Sequence, residues 1–167
     1  KDLSERDIGS KCITPAVEQV GWDKMSQIRE EVYFTDRRVI VRGKMVLRGE
    51  RKFADYILYY KPNIPIAVIE AKDNNHAVGH GMRQAIEYAE TLDIPFVFSS
   101  NGDAFVFHDR TGQAEQLETD LPLDSFPSPE TLWNSYRTWK GLAPEQEKLV
   151  VQDYYEDSSG KAPRYYQ

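Results

Sequence analysis

Asp55, Glu70 and Lys72 are the residue types from which a phosphodiester-cleaving site can be built, and their placement is suggestive. Glu70 and Lys72 stand two apart at the end of the apolar run Ile66-Ala67-Val68-Ile69. In a strand, that spacing points both side chains to one face, together with Ile66 and Val68. Two charges closing an apolar strand need a reason, because a buried charge is costly unless it is paired or metal-bound. Asp55 opens the preceding strand, and a short turn at Lys61–Ile64 would bring it beside Glu70. Two carboxylates on adjacent strands form a hard, oxygen-lined site suited to Mg²⁺. A nearby lysine can orient or help deprotonate a water and offset charge on a transferring phosphoryl group. The competing reading is a structural Glu-Lys pair with Asp55 as an ordinary strand-opening residue, and spacing alone leaves both open. Gln84 and Tyr88, four apart on an expected helix, form a second polar pair. They could contact a phosphate or position a catalytic group, or be a surface pair on an amphipathic helix.

The elements that must hold these residues can be read around them. Ser4 suits an N-cap with Asp7 in the first turn. Ile8, Cys12, Ile13, Ala16, Val17 and Val20 follow at helical spacing and Gly21 ends the run. Pro15 predicts a kink or a division of that helix. From Val32 to Tyr60 the pattern turns to β-branched and aromatic residues. Val39-Ile40-Val41 and Met45-Val46-Leu47 flank Arg42-Gly43-Lys44 as a hairpin, and further strands are expected at Ala54–Tyr60 and Pro65–Lys72. A polar loop at Asp73–Gly81 leads to a helix over Met82–Leu92, with Met82, Ala85, Ile86, Ala89 and Leu92 inward. Strands at Pro95–Ser99 and Ala104–His108 follow, then an acidic, proline-bearing connection to about Pro129. Helices near Glu130–Lys140 and Pro144–Gln152 complete the order, with Trp133, Tyr136 and Trp139 at core-packing spacing. This order predicts an α/β fold, a mixed central β-sheet flanked by helices. The expected domain spans residues 1–153, with 154–167 as a linker.

Composition narrows the function classes. The 167 residues are 40% hydrophobic and 12% aromatic, enough for one globular core. No apolar run approaches the roughly 18 residues of a membrane helix. The charged start Lys1–Asp7 does not read as a signal peptide. A lone Cys12 allows no internal disulfide, which suits a cytoplasmic protein. His76, His80 and His108 form no zinc-ligand spacing with it. The net charge is −6, yet seven bases against one acid lie between Arg37 and Lys52. Arg37, Arg38, Arg42, Lys44, Arg48, Arg51 and Lys52 could hold a DNA backbone, since phosphate contacts act over about 8–10 Å. A solvated strand face is the alternative. Ten acids against three bases between Gln113 and Asp157 could dock another domain or simply be solvated.

Taken together, Ala54-Asp55-Tyr56-Ile57-Leu58-Tyr59-Tyr60, Ile66-Ala67-Val68-Ile69-Glu70-Ala71-Lys72 and Gln84-Ala85-Ile86-Glu87-Tyr88-Ala89 resemble the N-terminal nuclease domain of type I restriction enzyme R (HsdR) subunits. This is a branch of the PD-(D/E)xK nucleases. Gly21-Trp22 and Asn101-Gly102 before Phe105-Val106-Phe107 are similar to the same family, and the resemblance runs from about Ser4 to Gln167. Ala54 departs from it, standing where the motif name has proline. The resemblance implies a restriction-endonuclease-like core and a Mg²⁺-dependent endonuclease acting on double-stranded DNA. Asp55, Glu70 and the Ala71 carbonyl would hold the metal, with Glu5 a further candidate, and Lys72 would complete the hydrolytic site. Gln84 and Tyr88 would form an accessory Q-x-x-x-Y motif. It further implies methyltransferase and specificity subunits as partners. ATP would be needed only by motor domains, toward which Pro163-Arg164-Tyr165-Tyr166-Gln167 would lead. No G-x-x-x-x-G-K-[ST] phosphate loop occurs, so ATP hydrolysis is not expected of this chain. The rival reading is a catalytically silent nuclease fold that binds DNA or docks subunits.

Overall fold

Alternating apolar strands and amphipathic helices assemble, in a computed structural model, into one mixed sheet with helices on both faces. The structure describes residues 3–35, 40–41 and 51–142. The expected strand at Met45–Leu47, the helix near Pro144 and the linker at 154–167 lie outside them, as do Arg37, Arg38, Arg42, Lys44 and Arg48.

Among the described residues the sheet has seven strands in the order β2-β1-β3-β4-β5-β6-β7. These are β1 (Ile28–Thr35), β2 (Ile40–Val41), β3 (Arg51–Lys61), β4 (Ile64–Ala71), β5 (Phe96–Ser100), β6 (Ala104–Asp109) and β7 (Glu118–Pro122). Among these described strands only β4 and β5 pair in parallel, joined by the crossover helix α3 (Met82–Leu92), as a parallel connection requires. The other pairs are antiparallel. The β7 strand was not expected. Its sequence, Glu118-Thr119-Asp120-Leu121-Pro122, is acidic and exposed, and it closes the sheet edge with charge and a proline in place of an apolar face.

The N-terminal helical run divides as Pro15 suggested, but ahead of it. Short helices α1 (Glu5–Ile8) and α2 (Thr14–Gln19) flank a π-helical turn at Gly9–Ile13. Pro15 then falls in the first turn of α2, where its missing N–H costs least. Ser4 caps α1 reciprocally: its hydroxyl accepts from the Asp7 amide while the Asp7 carboxylate accepts from the Ser4 amide. Helix α4 (Pro129–Lys140) starts at a Ser128 cap and ends at left-handed Gly141.

Two apolar cores sandwich the sheet. Tyr56, Leu58, Ile69, Phe96 and Phe98 pack with Ile8, Ile13 and Val17 of the N-terminal helices and Trp133 of α4. Ile57, Tyr59, Val68 and Val97 pack with Met82, Ala85, Tyr88 and Ala89 of α3. The alternation Tyr56/Ile57 and Phe96/Val97 assigns neighbouring residues to opposite cores. Among the described residues no helix is long and apolar enough to cross a membrane.

Candidate active site

Asp55, Glu70 and Lys72 come together at one end of the β3–β4 pair. The ladder runs Leu58↔Ala67, Ile57↔Val68, Tyr56↔Ile69 and then ends. Beyond that point carboxylates replace the missing backbone partners. The Asp55 amide donates to Glu70 Oε2 at 3.0 Å, and the Ala71 amide donates to Asp55 Oδ2 at 2.8 Å. Each acid is therefore held by the other's strand, and the two carboxyl groups lie close enough to perturb one another.

Burial and mutual repulsion set the electrostatics. Glu70 is almost fully buried, and its pKa is pushed up to about 9, first by desolvation and then by the Asp55 charge. Desolvation also raises Asp55, with the Glu5 charge adding to it, while the Ala71 amide pulls the other way. Lys72 follows β4 directly, its amide continuing the parallel ladder to the Ser100 carbonyl at 2.9 Å. Its ammonium lies 3.8 Å from Glu5 Oε2. Glu5, on α1, thus reaches the site through Lys72.

Gly81, at the start of α3, lets the helix approach. A Cβ there would stand 3.3 Å from Lys72 Cε, 3.3 Å from Ser99 Oγ and 3.4 Å from Glu70 Cβ. Helix α3 presents Gln84 and Tyr88 one turn apart, and Gln84 Nε2 donates to the Tyr88 hydroxyl at 2.8 Å. Tyr88 is not a surface residue: it is buried edge-on against Phe34, with its pKa pushed up to about 12 by burial and then by the Glu70 charge. Gln84 and Tyr88 therefore belong to the same electrostatic neighbourhood as the acids.

Sequence reading missed the residues that fasten this end of the sheet. Ser99 pairs with Glu70 in the parallel register. Its hydroxyl donates to the Val78 carbonyl at 2.8 Å and accepts from the Gly81 amide at 3.2 Å. Asn101 Nδ2 donates to the His76 carbonyl at 2.6 Å. The signal was available: Ser99-Ser100-Asn101 ends an otherwise apolar strand, and buried polar groups there must find partners. His76 and His80 sit in the loop after Lys72, and the His76 ring bonds Asp73 at 2.8 Å. His108 pairs with Glu118 on the neighbouring strand.

Beside Asp55 and Ala71 a cleft of about 390 Å³ opens, walled by Glu5 and Arg6 of α1, Glu30 and Glu31 of β1, and the half-exposed Phe53. Among the described residues no group of three His, Cys, Asp or Glu side chains converges on a metal position. A cation here would rest on two carboxylates, the Ala71 carbonyl and water. That donor set fits Mg²⁺, which keeps several waters and takes one or two carboxylates. Of the basic stretch, the structure describes the side chain of Lys52 alone, half-buried on β3.

Residues 39–116 match the family described as "Type I restriction enzyme R protein N terminus". The chain is 54% identical, over 99% of its length, to the type I restriction enzyme EcoAI endonuclease subunit of Escherichia coli, of which it spans 21%. It also resembles the fragment structure assigned to an HsdR subunit of a type I restriction enzyme from Vibrio vulnificus YJ016. The TM-score is 0.71 at 40% identity, covering 86% of this chain and 27% of that one.

Proposed function

Since the chain belongs to the family of type I restriction enzyme R protein N-terminal regions, we propose that it is the endonuclease domain of such a subunit, hydrolysing phosphodiester bonds of double-stranded DNA. The observation that carries this reading is the reciprocal pairing of Asp55 and Glu70 at the parted ends of β3 and β4, with Lys72 beside them. Two neighbouring carboxyls that resist ionisation are costly for stability, and a divalent cation between them relieves that cost. Asp55, Glu70 and the Ala71 carbonyl would hold Mg²⁺, which supplies Lewis-acid activation of the scissile phosphate and a water.

The chain's own groups do the rest. Lys72, two residues past Glu70 and tethered by Glu5, orients the attacking water and offsets charge on the phosphoryl group. Tyr88, fixed by Phe34 and bonded by Gln84, keeps a hydroxyl near Glu70 and positions the acids or the DNA backbone. The basic stretch from Arg37 to Lys52 holds the duplex through phosphates without reading sequence. Site reading falls to a specificity subunit, with a methyltransferase subunit in the same assembly, and DNA delivery to ATP-driven motor domains. An intact Asp–Glu–Lys set weighs against a silent binding module, which has no use for two mutually repelling acids.

The test uses the full-length R subunit reassembled with its partner subunits on plasmid DNA with Mg²⁺ and ATP. Lys72→Ala should lower cleavage at least ~100-fold, as expected when a group stabilising the transition state is lost, while ATP consumption continues. Cleavage at the wild-type rate would favour the silent module.

A further inference from the structure

Pairing between β1 and β3 runs in one register from Ile28↔Leu58 to Thr35↔Arg51. One pair inside that run is missing. Glu30 pairs with Tyr56 and Val32 with Ala54, so the unpaired position on β1 is Glu31 and the residue facing it is Asp55. Glu31 has φ 54°, a left-handed conformation that non-glycine residues seldom adopt within a strand. The other such residue among those described, Asp93, ends a helix, where the conformation is ordinary.

A left-handed residue turns a strand over. Ile28, Val32 and Phe34 should share a face by even spacing. Ile28 nevertheless packs with the N-terminal helices, while Val32 and Phe34 pack with α3. The β3 strand turns over at the same row: Tyr56 and Leu58 lie in the first core and Ala54 in the second. Asp55 sits at the crossing, with its pairing interrupted toward β1 and toward β4 alike. The carboxylate of Glu31 has little to hold it there. It is about half exposed, and its partner Arg6, at 3.4 Å, is still more exposed, a pairing of small value.

We propose that Glu31 is a positioning residue for Asp55: its left-handed backbone turns β1 over opposite Asp55 and so lets the Asp55 carboxylate reach across to the Ala71 amide and Glu70. Strain kept at a functional site is a known way of fixing such geometry. The proposal rests on Asp55 and Glu70 being the metal-binding acids, and it assigns the effect to the backbone of Glu31, not to its charge.

The reassembled full-length enzyme tests it with three variants: Glu31→Gly and Glu31→Asn, which accept the left-handed conformation, and Glu31→Val, which resists it. Plasmid cleavage is followed against Mg²⁺ concentration, alongside ATP consumption. Glu31→Gly and Glu31→Asn should keep the wild-type Mg²⁺ requirement. Glu31→Val should need ~10-fold more Mg²⁺, the usual effect of disturbing support behind a metal ligand, at unchanged ATP consumption. Wild-type Mg²⁺ dependence in Glu31→Val overturns the proposal. So does a Glu31→Gly or Glu31→Asn enzyme that behaves like Glu31→Val, because the carboxylate is then what matters. Loss of ATP consumption in Glu31→Val also overturns it, pointing to general damage. Lys72→Ala runs in parallel: if it cuts normally, the assigned site itself fails and this proposal with it. If it is silent while Glu31→Val is normal, only the positioning role fails.

Discussion

At Glu70 the chain buries a carboxyl and sets it against a second one, and both circumstances favour the protonated form. Its folded-state pKa, about 9, lies above the ordinary glutamate range, so across the interval between them unfolding releases a proton. The stabilising contribution is complete below the ordinary range and is lost as pH rises toward 9. Glu70→Gln keeps an acceptor for the Asp55 amide and a donor for the Asp55 carboxyl but has no proton to lose. With a chelator present, the variant should be more stable than wild type at pH 8 by ~1–3 kcal/mol, or roughly 2–4 °C in Tm per kcal/mol. The difference should shrink as pH falls toward 4. Melting curves across pH check this, and a variant less stable than wild type at pH 8 contradicts the electrostatic account of the pair.

The scale of elements governs how α1, which brings Glu5 toward Lys72, is fixed on the sheet. Tyr56, next to Asp55 on β3, reaches up to Thr14 of α2 with its hydroxyl at 2.8 Å from Thr14 Oγ1. A Cβ on Gly9 would stand 2.6 Å from that hydroxyl, so the π-helical turn begins where only glycine fits. Gly9→Ala must push the tyrosine or the turn aside, and overpacking of this kind costs ~1–3 kcal/mol. Tyr56→Phe removes the obstructing oxygen along with the bond to Thr14. A double-mutant cycle in urea should therefore give Gly9→Ala a smaller cost in the Tyr56→Phe background than in the wild type, and equal costs would mean the two do not compete for the same space. Sequence periodicity located this helical run and its cap, since Ser4, Asp7 and the apolar spacing are local signals. The π-helical turn was invisible, and Gly9, where it begins, lies against Tyr56, 47 positions further along the chain.

At the scale of the whole molecule, an aromatic cluster packs under the sheet. Phe98 on β5 stacks on Phe107 at 4.6 Å and meets Phe126 at 4.5 Å and Phe105 at 6.3 Å, joining β5, β6 and the segment before α4. It is completely buried. Phe98→Ala should cost ~3–5 kcal/mol, a large part of the ~5–15 kcal/mol typical of a domain. Urea unfolding should show a lower midpoint at unchanged slope. A loss under 1 kcal/mol would mean that this cluster is not what joins β5 and β6 to the segment before α4. The site depends on that cluster at one remove, because β5 carries Ser99 and Ser100, which hold the loop after Lys72 and the start of α3.

The sequence by itself determined most of the strands β3 to β6, helix α3 and the mixed character of the sheet, and it put Asp55, Glu70 and Lys72 forward as a candidate trio, although β3 begins at Arg51 and Asp55 lies within it. Each follows from a period or a spacing written within a short stretch, which local steric and hydrophobic rules translate directly. It left β7 unseen, since an exposed acidic edge strand carries no apolar alternation, and it took Gln84 and Tyr88 for a pair whose surroundings were open. Only the tertiary structure decided that Tyr88 is buried against Phe34 near Glu70, that Ser99 fastens the loop to the strand, and that Glu31 faces Asp55 in a left-handed conformation. Those depend on which strand lies beside which and where two strands turn over together, and contacts between distant segments leave no periodic mark on either of them.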